Sequence, residues 1–362
     1  MPILDVFDND AFTSVSLTES VERNPYLPTG LGTLKIFQPK PILTKALAVE
    51  QREGRLVVVP TSDRGGPVME RITEKRQARY FEVPRIATGD TVYASELMGV
   101  RKFGSETQMM SVQDEVTRRL NGGTGLLKNI EFTHEYHRLA AVQGLLLDAN
   151  PNPGQAAPVL FNWYDEFNIT QPAPIAFNLA AKTSGQLRVT CNQMVRKMTR
   201  AAKGAFGAGA RVIGLCGDEF WDALTTHPDV NTTYLNWAQA EELRLGMAFM
   251  GDKGANPLSS NPGILKPFPF GDVAWINYRG SDDLATIAIP STQAIFFPDN
   301  ADDVFTVAWA PHDNEEFLDT LGRPTYIIPI KDRDRRAWWR MEAYSYPLHI
   351  CTRPEVLQRG NM

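Results

Sequence analysis

The sequence is poor in cysteine, with only Cys191, Cys216 and Cys351 among 362 residues. The three are far apart, and no CxxC pair occurs. An odd, widely spaced set argues against a disulfide framework and against a zinc site of the usual ligand spacing. Each cysteine lies in an apolar stretch, so we expect three buried thiols.

Long hydrophobic runs are also missing. No apolar run approaches the roughly 20 residues that span a bilayer, and residues 1–20 lack the basic start and apolar core of a secretory signal. We therefore expect a soluble, cytoplasmic protein with no membrane partner. The net charge of −5 argues against general polyanion binding, so contact with nucleic acid would need a local basic patch.

Catalytic signatures are absent as well, since the sequence contains no Gly-x-Ser-x-Gly elbow and no P-loop. The pattern His134-Glu135-Tyr136-His137 suggests a metal site, but its histidines are three residues apart, whereas the zincin motif places them four apart. No third ligand is identifiable. A metal-dependent hydrolase using His134, Glu135 and His137 is therefore the alternative hypothesis. The favoured interpretation is a pair of half-buried, hydrogen-bonded histidines, with no metal and no cofactor.

Residues 42–93 are the most informative stretch, because they predict a strand-rich excursion with little to pack against. Residues 42–50 and 55–61 have β character, and the polar residues 51–54 between them predict a turn. An isolated hairpin is marginally stable in water. We therefore expect the excursion to pack on a neighbour, which would be another copy of the chain.

The second half of this excursion is rich in arginine. A glycine and proline break at residues 63–67 interrupts any regular strand. Residues 69–79 follow, where four basic residues stand against Glu70 and Glu74, and residues 71–79 are the basic run. The predicted intersubunit contacts here are Arg64, Gly65, Gly66, Arg71, Lys75, Arg76 and Arg79. A third hypothesis, a nucleic-acid-binding module using the basic run, is disfavoured by the negative net charge.

The remaining sequence predicts an extended arm followed by mixed helices and strands. Prolines and glycines forbid a long helix in residues 1–41, where Phe12 and Leu17 are predicted apolar anchors on a neighbouring surface. Apolar periodicity predicts a helix from about Leu126 to Leu147, and residues 159–169 read as a strand pair or hairpin.

Residues 184–350 predict a mixed α/β unit followed by strands. A helix over residues 184–203 has Ser184 as its candidate N-cap. A short buried strand at 211–216 precedes a helix at 218–225. Residues 338–350 return to strand character. The whole chain is therefore expected to be α+β.

The order and spacing of several segments carry a resemblance to a known family. The chain resembles tailed-phage major capsid proteins of the lambda-type capsid protein E family, which have the Hong Kong 97 fold. The matching segments are Phe12-Thr-Ser-Val-Ser-Leu-Thr-Glu-Ser-Val, Arg64-Gly65-Gly66, Val142-Gln-Gly-Leu-Leu-Leu-Asp148, Trp163-Tyr164-Asp165-Glu166-Phe167, Val212–Leu224 with Trp221, and Gly271-Asp272-Val273-Ala274.

The resemblance implies a Hong Kong 97-like organisation. Residues 1–41 would be an N-terminal arm and 42–93 an extended β-hairpin loop. Residues 94–178 with 338–362 would form a peripheral domain with a long spine helix, and 179–337 an α/β axial domain. The implied function is a major capsid protein, not an enzyme, whose hexamers and pentamers build an icosahedral shell of the T=7 type.

The resemblance also implies partners and a location. These are other copies of the chain, a portal protein, a decoration protein, and packaged double-stranded DNA that touches the inner face without sequence specificity. Because the arm begins within about ten residues of Met1, we expect a separate scaffold protein. The chain would assemble in the host cytoplasm and reside in the virion.

Overall fold

The computed structural model describes residues 25–362 except 54–74, 99–110, 150–156, 236–266 and positions 182, 208, 284, 302 and 336. Within these residues the chain is α+β, as the sequence predicts. All three cysteines are buried and free, and burial raises the pKa of Cys191 to about 12.

The largest sheet has six strands. In spatial order they are β7 (Ile175–Ala176), β16 (Gln358–Asn361), β11 (Gln293–Asp299), β8 (Arg211–Cys216), β10 (Val273–Asn277) and β9 (Phe268–Phe270). The central β8 runs parallel to β10 and antiparallel to β11. It is buried from Val212 to Cys216, as expected for an apolar run with both faces covered.

Three helices belong to the same region: α6 (Gln186–Ala202), α7 (Asp218–Thr225) and α8 (Pro228–Leu235). The predicted cap Ser184 is wrong, because Gly185 is the N-cap and has no capping side chain. Instead, the Asp229 carboxylate accepts the N–H groups of Gly185 and Leu187 at 2.6 and 3.2 Å. A residue distant in sequence thus supplies the cap.

A second sheet of three antiparallel strands carries the spine helix. Its strands are β13 (Tyr326–Lys331), β14 (Trp338–Ser345) and β4 (Ile86–Tyr93). Two helices, α3 (Val112–Asn121) and the spine helix α4 (Leu126–Ala141), contact β4. Between helices and sheet lies a small core of Val92, Leu97, Leu126, Ile130, Met341 and Ala343.

The spine helix is shorter than predicted, because it ends at Ala141 instead of Leu147. Gly144 has φ +83°, and a Cβ there would lie 2.4 Å from Cε2 of Tyr164. Only glycine fits this left-handed turn without strain. Residues Leu145–Leu147 then form strand β5.

Strand β5 pairs with β6 (Val159–Asn162). The predicted strand pair over 159–169 is wrong beyond Asn162, where helix α5 (Trp163–Glu166) begins. The Asn162 side chain accepts the N–H of Tyr164 at 3.2 Å, so a local N-cap converts the chain from strand to helix.

A third sheet joins distant parts of the chain: β1 (Gln38–Pro41), β12 (Phe305–Trp309) and β15 (Pro347–Cys351). Residues 338–350, which were predicted as one strand segment, form two strands, because β14 and β15 lie in different sheets. This sheet combines the predicted arm, axial and peripheral segments, and β16 joins the six-stranded sheet. The division into domains stays a prediction, and its borders separate strands that pair within one sheet.

The remaining elements include the hairpin of β2 (Ala46–Glu53) and β3 (Lys75–Glu82), which pair over eight residues. The prediction of a turn at 51–54 is wrong for residues 51–53. Strand β2 continues to Glu53 because it pairs there with β3. Two short helices, α1 (Gly30–Leu34) and α2 (Ala94–Leu97), complete the described elements together with 3-10 turns at Leu179–Ala181, Glu315–Phe317 and Pro354–Val356. The predicted strand at 55–61 lies outside the described residues.

Candidate functional site

The predicted contact residues are only partly within the described chain. Those outside the described residues are Phe12, Leu17, Arg64, Gly65, Gly66 and Arg71. Lys75 and Arg76 belong to β3. Arg79 is half-buried, and its guanidinium carbon lies 5.7 Å from the ring centroid of Phe167. Arg79 therefore contacts its own chain, and its predicted intersubunit role stays a prediction.

The inner face of the β2–β3 hairpin is anchored on the same subunit. Phe81 is 2% exposed. Its ring centroid lies 5.4 Å from that of Trp163, 5.8 Å from Phe161 and 6.0 Å from Phe167. Leu47, opposite Phe81 in the ladder, is also buried. The described part of the hairpin thus has a core of its own, contrary to the expectation that the loop has little to pack against.

The outer face of the hairpin is open. Side chains alternate between the two faces of a strand, so Tyr80 points away from the face that buries Phe81. It is 75% exposed and lies opposite Ala48. Tyrosine is enriched in protein interfaces, where its ring supplies contact area. Sequence reasoning does not single out Tyr80, because an alternating strand alone does not reveal which face is covered.

Glu135 is the centre of a buried polar cluster. Its Oε1 accepts the N–H of Leu31 at 2.7 Å and the hydroxyl of Tyr278 at 3.1 Å. Its Oε2 accepts the N–H of Gly32 at 3.0 Å and lies 3.2 Å from Nη1 of Arg138. Burial raises the pKa of Glu135, while these donors favour its charged form. The carboxylate therefore joins α1, the spine helix and the segment after β10.

The two histidines of the metal-like pattern are buried, and not half-buried as predicted. Nε2 of His134 lies 2.9 Å from Oγ of Ser345. The His349 ring centroid is 6.0 Å from that of His134 and 5.9 Å from that of His137. Within the described ranges, no group of three acidic, histidine or cysteine side chains could hold a metal ion. The cluster therefore packs the spine helix against β15.

This histidine cluster predicts a loss of stability in acid. Burial lowers the pKa of His134 and His349, and lowers that of His137 to about 4. Because the ordinary histidine pKa is about 6.5, the unfolded state binds more protons below that pH. The stability is fully present above about pH 6.5 and falls on acidification toward pH 4. We expect each histidine to cost roughly 1 kcal/mol per pH unit in this range.

The measurement is the free energy of unfolding from denaturant titrations at several pH values between 7 and 4.5. The imidazoles face Ser345, Glu131, Arg138 and the rings of Trp309 and Phe37. Replacing His349, whose ring nitrogens have no partner among the described residues, with leucine should make the pH profile shallower. An unchanged slope in His349→Leu would contradict this assignment.

A solved capsid has the same overall fold. The capsid structure of Cyanophage P-SCSP1u matches with a TM-score of 0.52 and 9% identity, covering 98% of this chain and 94% of that chain. The spine helix on its sheet, the six-stranded α/β region and the β2–β3 hairpin therefore define a Hong Kong 97-like fold.

The comparison of sequences then gives the family. A family model described as "Phage major capsid protein E" matches residues 13–362, so the chain belongs to that family. The major capsid protein of Pseudomonas phage KPP10 is 27% identical over 297 residues, which cover 79% of this chain and 78% of that protein. The major capsid protein of Salmonella phage Felix O1 is 22% identical, covering 97% of this chain and 96% of that protein.

The chain is thus a phage major capsid protein, a structural component of the virion that assembles with other copies into a shell. The predicted family and fold are confirmed. The alternative hydrolase on His134, Glu135 and His137 is not supported, because the family consists of structural proteins and Glu135 holds backbone N–H groups. Among the described helices, none has the length and apolar character needed to cross a membrane.

Proposed function

We propose that the chain forms hexamers and pentamers that tile the icosahedral shell, of the T=7 type, of a tailed double-stranded DNA phage. Assembly takes place in the host cytoplasm on a separate scaffold protein, around a portal protein. A decoration protein binds the finished shell. The packaged DNA touches the inner face without sequence specificity.

In this proposal the parts of the chain have distinct roles. Residues 1–41 are the arm, 42–93 the extended loop, 94–178 with 338–362 the peripheral domain, and 179–337 the axial domain. The arm and the loop supply the contacts that join neighbouring subunits.

The observation that carries the proposal is the two-sided character of the β2–β3 hairpin. Its inner face is fixed by Phe81, whereas the outer face presents Tyr80 with 75% of its surface exposed. A hairpin held rigidly at its root, with an open apolar face, is preorganised for a partner, which reduces the ordering cost of binding.

Deletion of residues 63–79 tests this role. We expect a soluble, folded subunit that no longer forms closed shells, because the loop's contacts to neighbours are lost. Folding is checked by circular dichroism and thermal melting, and particles are counted by negative-stain microscopy beside the unaltered chain. Normal particles from the deletion variant would show that the loop does not join subunits.

A further inference from the structure

Helix α6 (Gln186–Ala202) is basic and contains no acidic residue, although the chain has 42 acidic residues and a net charge of −5. The acid-free stretch extends beyond both ends of the helix, from residue 167 to residue 217. Helix α7, which follows, has the opposite character, with exposed Asp218, Glu219 and Asp222 and no basic residue. These two helices of one region therefore carry opposite charges.

Three of the basic side chains form a row on the exposed side of α6. Arg196 and Arg200, with Lys203 at the C-cap, follow one another at intervals of four and three residues, which places side chains on one face of a helix. All three are exposed, whereas Met194 on the other side is buried. Lys197, also exposed, lies beside the row. We call these four basic residues the basic face of α6.

The described structure gives the basic face no partner within the subunit. None of its four side chains forms an ion pair or a hydrogen bond with a described residue. The helix dipole favours cations only within the last turn, which holds Arg200 alone. The end of the helix already has a cation, since Nη1 of Arg353 donates to the carbonyl of Ala202 at 2.7 Å. Contacts among the described residues therefore do not explain this concentration of charge.

The polar character of the basic face favours a polyanion over a folded protein as its occupant. Every exposed residue between positions 192 and 203 is polar. Protein interfaces instead place aromatic and other apolar side chains at their core, with charges at the rim. A face with charges of one sign and no apolar anchor matches a chain of phosphates, which binds by charge and by the release of counterions.

The length of the row fits the spacing of phosphates in DNA. Arg196 and Lys203 lie roughly 10 Å apart along the helix axis, at about 1.5 Å per residue. One strand of duplex DNA presents a phosphate about every 3.4 Å along its axis, so the row spans about three phosphates. Arginine and lysine contacts to phosphates carry no sequence information.

We propose that the basic face of α6 binds the phosphate backbone of packaged double-stranded DNA. This inference rests on the proposed function, in which the shell encloses the genome. It adds the residues that hold the DNA, and it orients the subunit, because α6 must then face the interior. A single face makes few phosphate contacts and binds weakly, but its repetition over many subunits makes the total binding strong. Weak single contacts let the DNA slide along the wall while the shell is filled.

Removal of two charges from the basic face tests DNA binding by the full-length, unassembled subunit. Arg196→Gln combined with Arg200→Gln removes two phosphate contacts. Each contact contributes about 0.9 to the slope of log affinity against log salt concentration, so we expect a slope that is shallower by about 1.8. At low salt the variant should bind about tenfold more weakly, or less still. Binding is measured by the fluorescence anisotropy of a labelled DNA duplex.

A matched variant separates the basic face from the net charge of the chain. Lys40→Gln combined with Lys128→Gln also removes two exposed positive charges, one on β1 and one on the spine helix. Its slope should equal that of the unaltered chain. Circular dichroism checks that both double variants are folded. Equal slopes for the two double variants would overturn the inference.

A photochemical crosslink identifies the occupant in filled particles. A benzophenone side chain replaces Gln193, which is exposed on the helical turn before Arg196, and particles that contain DNA are irradiated. We expect a covalent adduct that disappears on nuclease digestion, and none from the same side chain at Asp222 on α7. An adduct with another protein would show that the face binds an acidic protein, and the absence of any adduct would show that α6 does not face the DNA. Either result overturns the inference.

The outcomes separate this inference from the proposed function. If the unaltered chain forms closed shells but the crosslink at position 193 captures no DNA, the basic face is not the DNA contact, and the proposed function stands. If the unaltered chain forms no closed shells, the proposed function is wrong, while the salt dependence of the subunit still decides whether the basic face binds duplex DNA.

Discussion

Replacing Glu135 with alanine is expected to lower the free energy of unfolding by about 3–5 kcal/mol. The substitution leaves the N–H groups of Leu31 and Gly32 and the hydroxyl of Tyr278 without their acceptor, and the half-buried Arg138 without one of its carboxylate partners. Unsatisfied buried donors each cost about 1–3 kcal/mol. Urea or guanidinium titration followed by circular dichroism measures the loss.

Two further variants show whether the loss comes from the acceptor. Glu135→Gln keeps the size of the side chain but replaces one acceptor oxygen with a donor, so we expect an intermediate loss. Lys128→Ala removes an exposed side chain from the same spine helix and should change stability by no more than about 0.5 kcal/mol. A loss below 1 kcal/mol for Glu135→Ala would contradict the joining role of this carboxylate.

Replacing Phe81 with alanine is expected to cost about 3–5 kcal/mol, the usual range for deleting a buried phenylalanine. The ring is 2% exposed and contacts the rings of Phe161, Trp163 and Phe167. Its removal would leave a cavity where the hairpin meets α5. Denaturant titration of the unassembled subunit gives the change in free energy.

The neighbouring residue provides the matched control. Tyr80 lies on the opposite, open face of the same strand. Tyr80→Ala should leave subunit stability within about 0.5 kcal/mol but reduce the yield of shells, because its ring is available to a neighbour. Equal destabilisation by the two substitutions would contradict the two-sided description of the hairpin, as would an unchanged shell yield for Tyr80→Ala.

Elements with a strong local pattern were predicted from sequence with correct bounds. The strand at 211–216 is a continuous apolar run between turns, and the helix at 218–225 follows at once; both are confirmed. Their identity is fixed by periodicity over neighbouring residues. The fold as a whole came from the resemblance, since the order of several weak motifs identified a family that no single motif defines.

The features that sequence reasoning missed depend on partners distant in the chain. Asp229 caps α6 from more than 40 residues away, and Glu135 binds N–H groups near residue 31. From sequence, Glu135 was interpretable only through its neighbours His134 and His137, which suggested a metal. The sequence shows the carboxylate of Glu135, but it does not show that the N–H groups of Leu31 and Gly32 donate to it.

The small sheet of β1, β12 and β15 bears on how quickly a subunit can fold. Its central strand pairs Thr306 with Gln38 on one side and Val307 with His349 on the other. Such long-range pairing gives a high contact order, and proteins with high contact order fold slowly. This sheet is expected to close late, with its strand edges exposed until then and open to aggregation. Slow synthesis at low temperature should therefore raise the fraction of subunits recovered in soluble form.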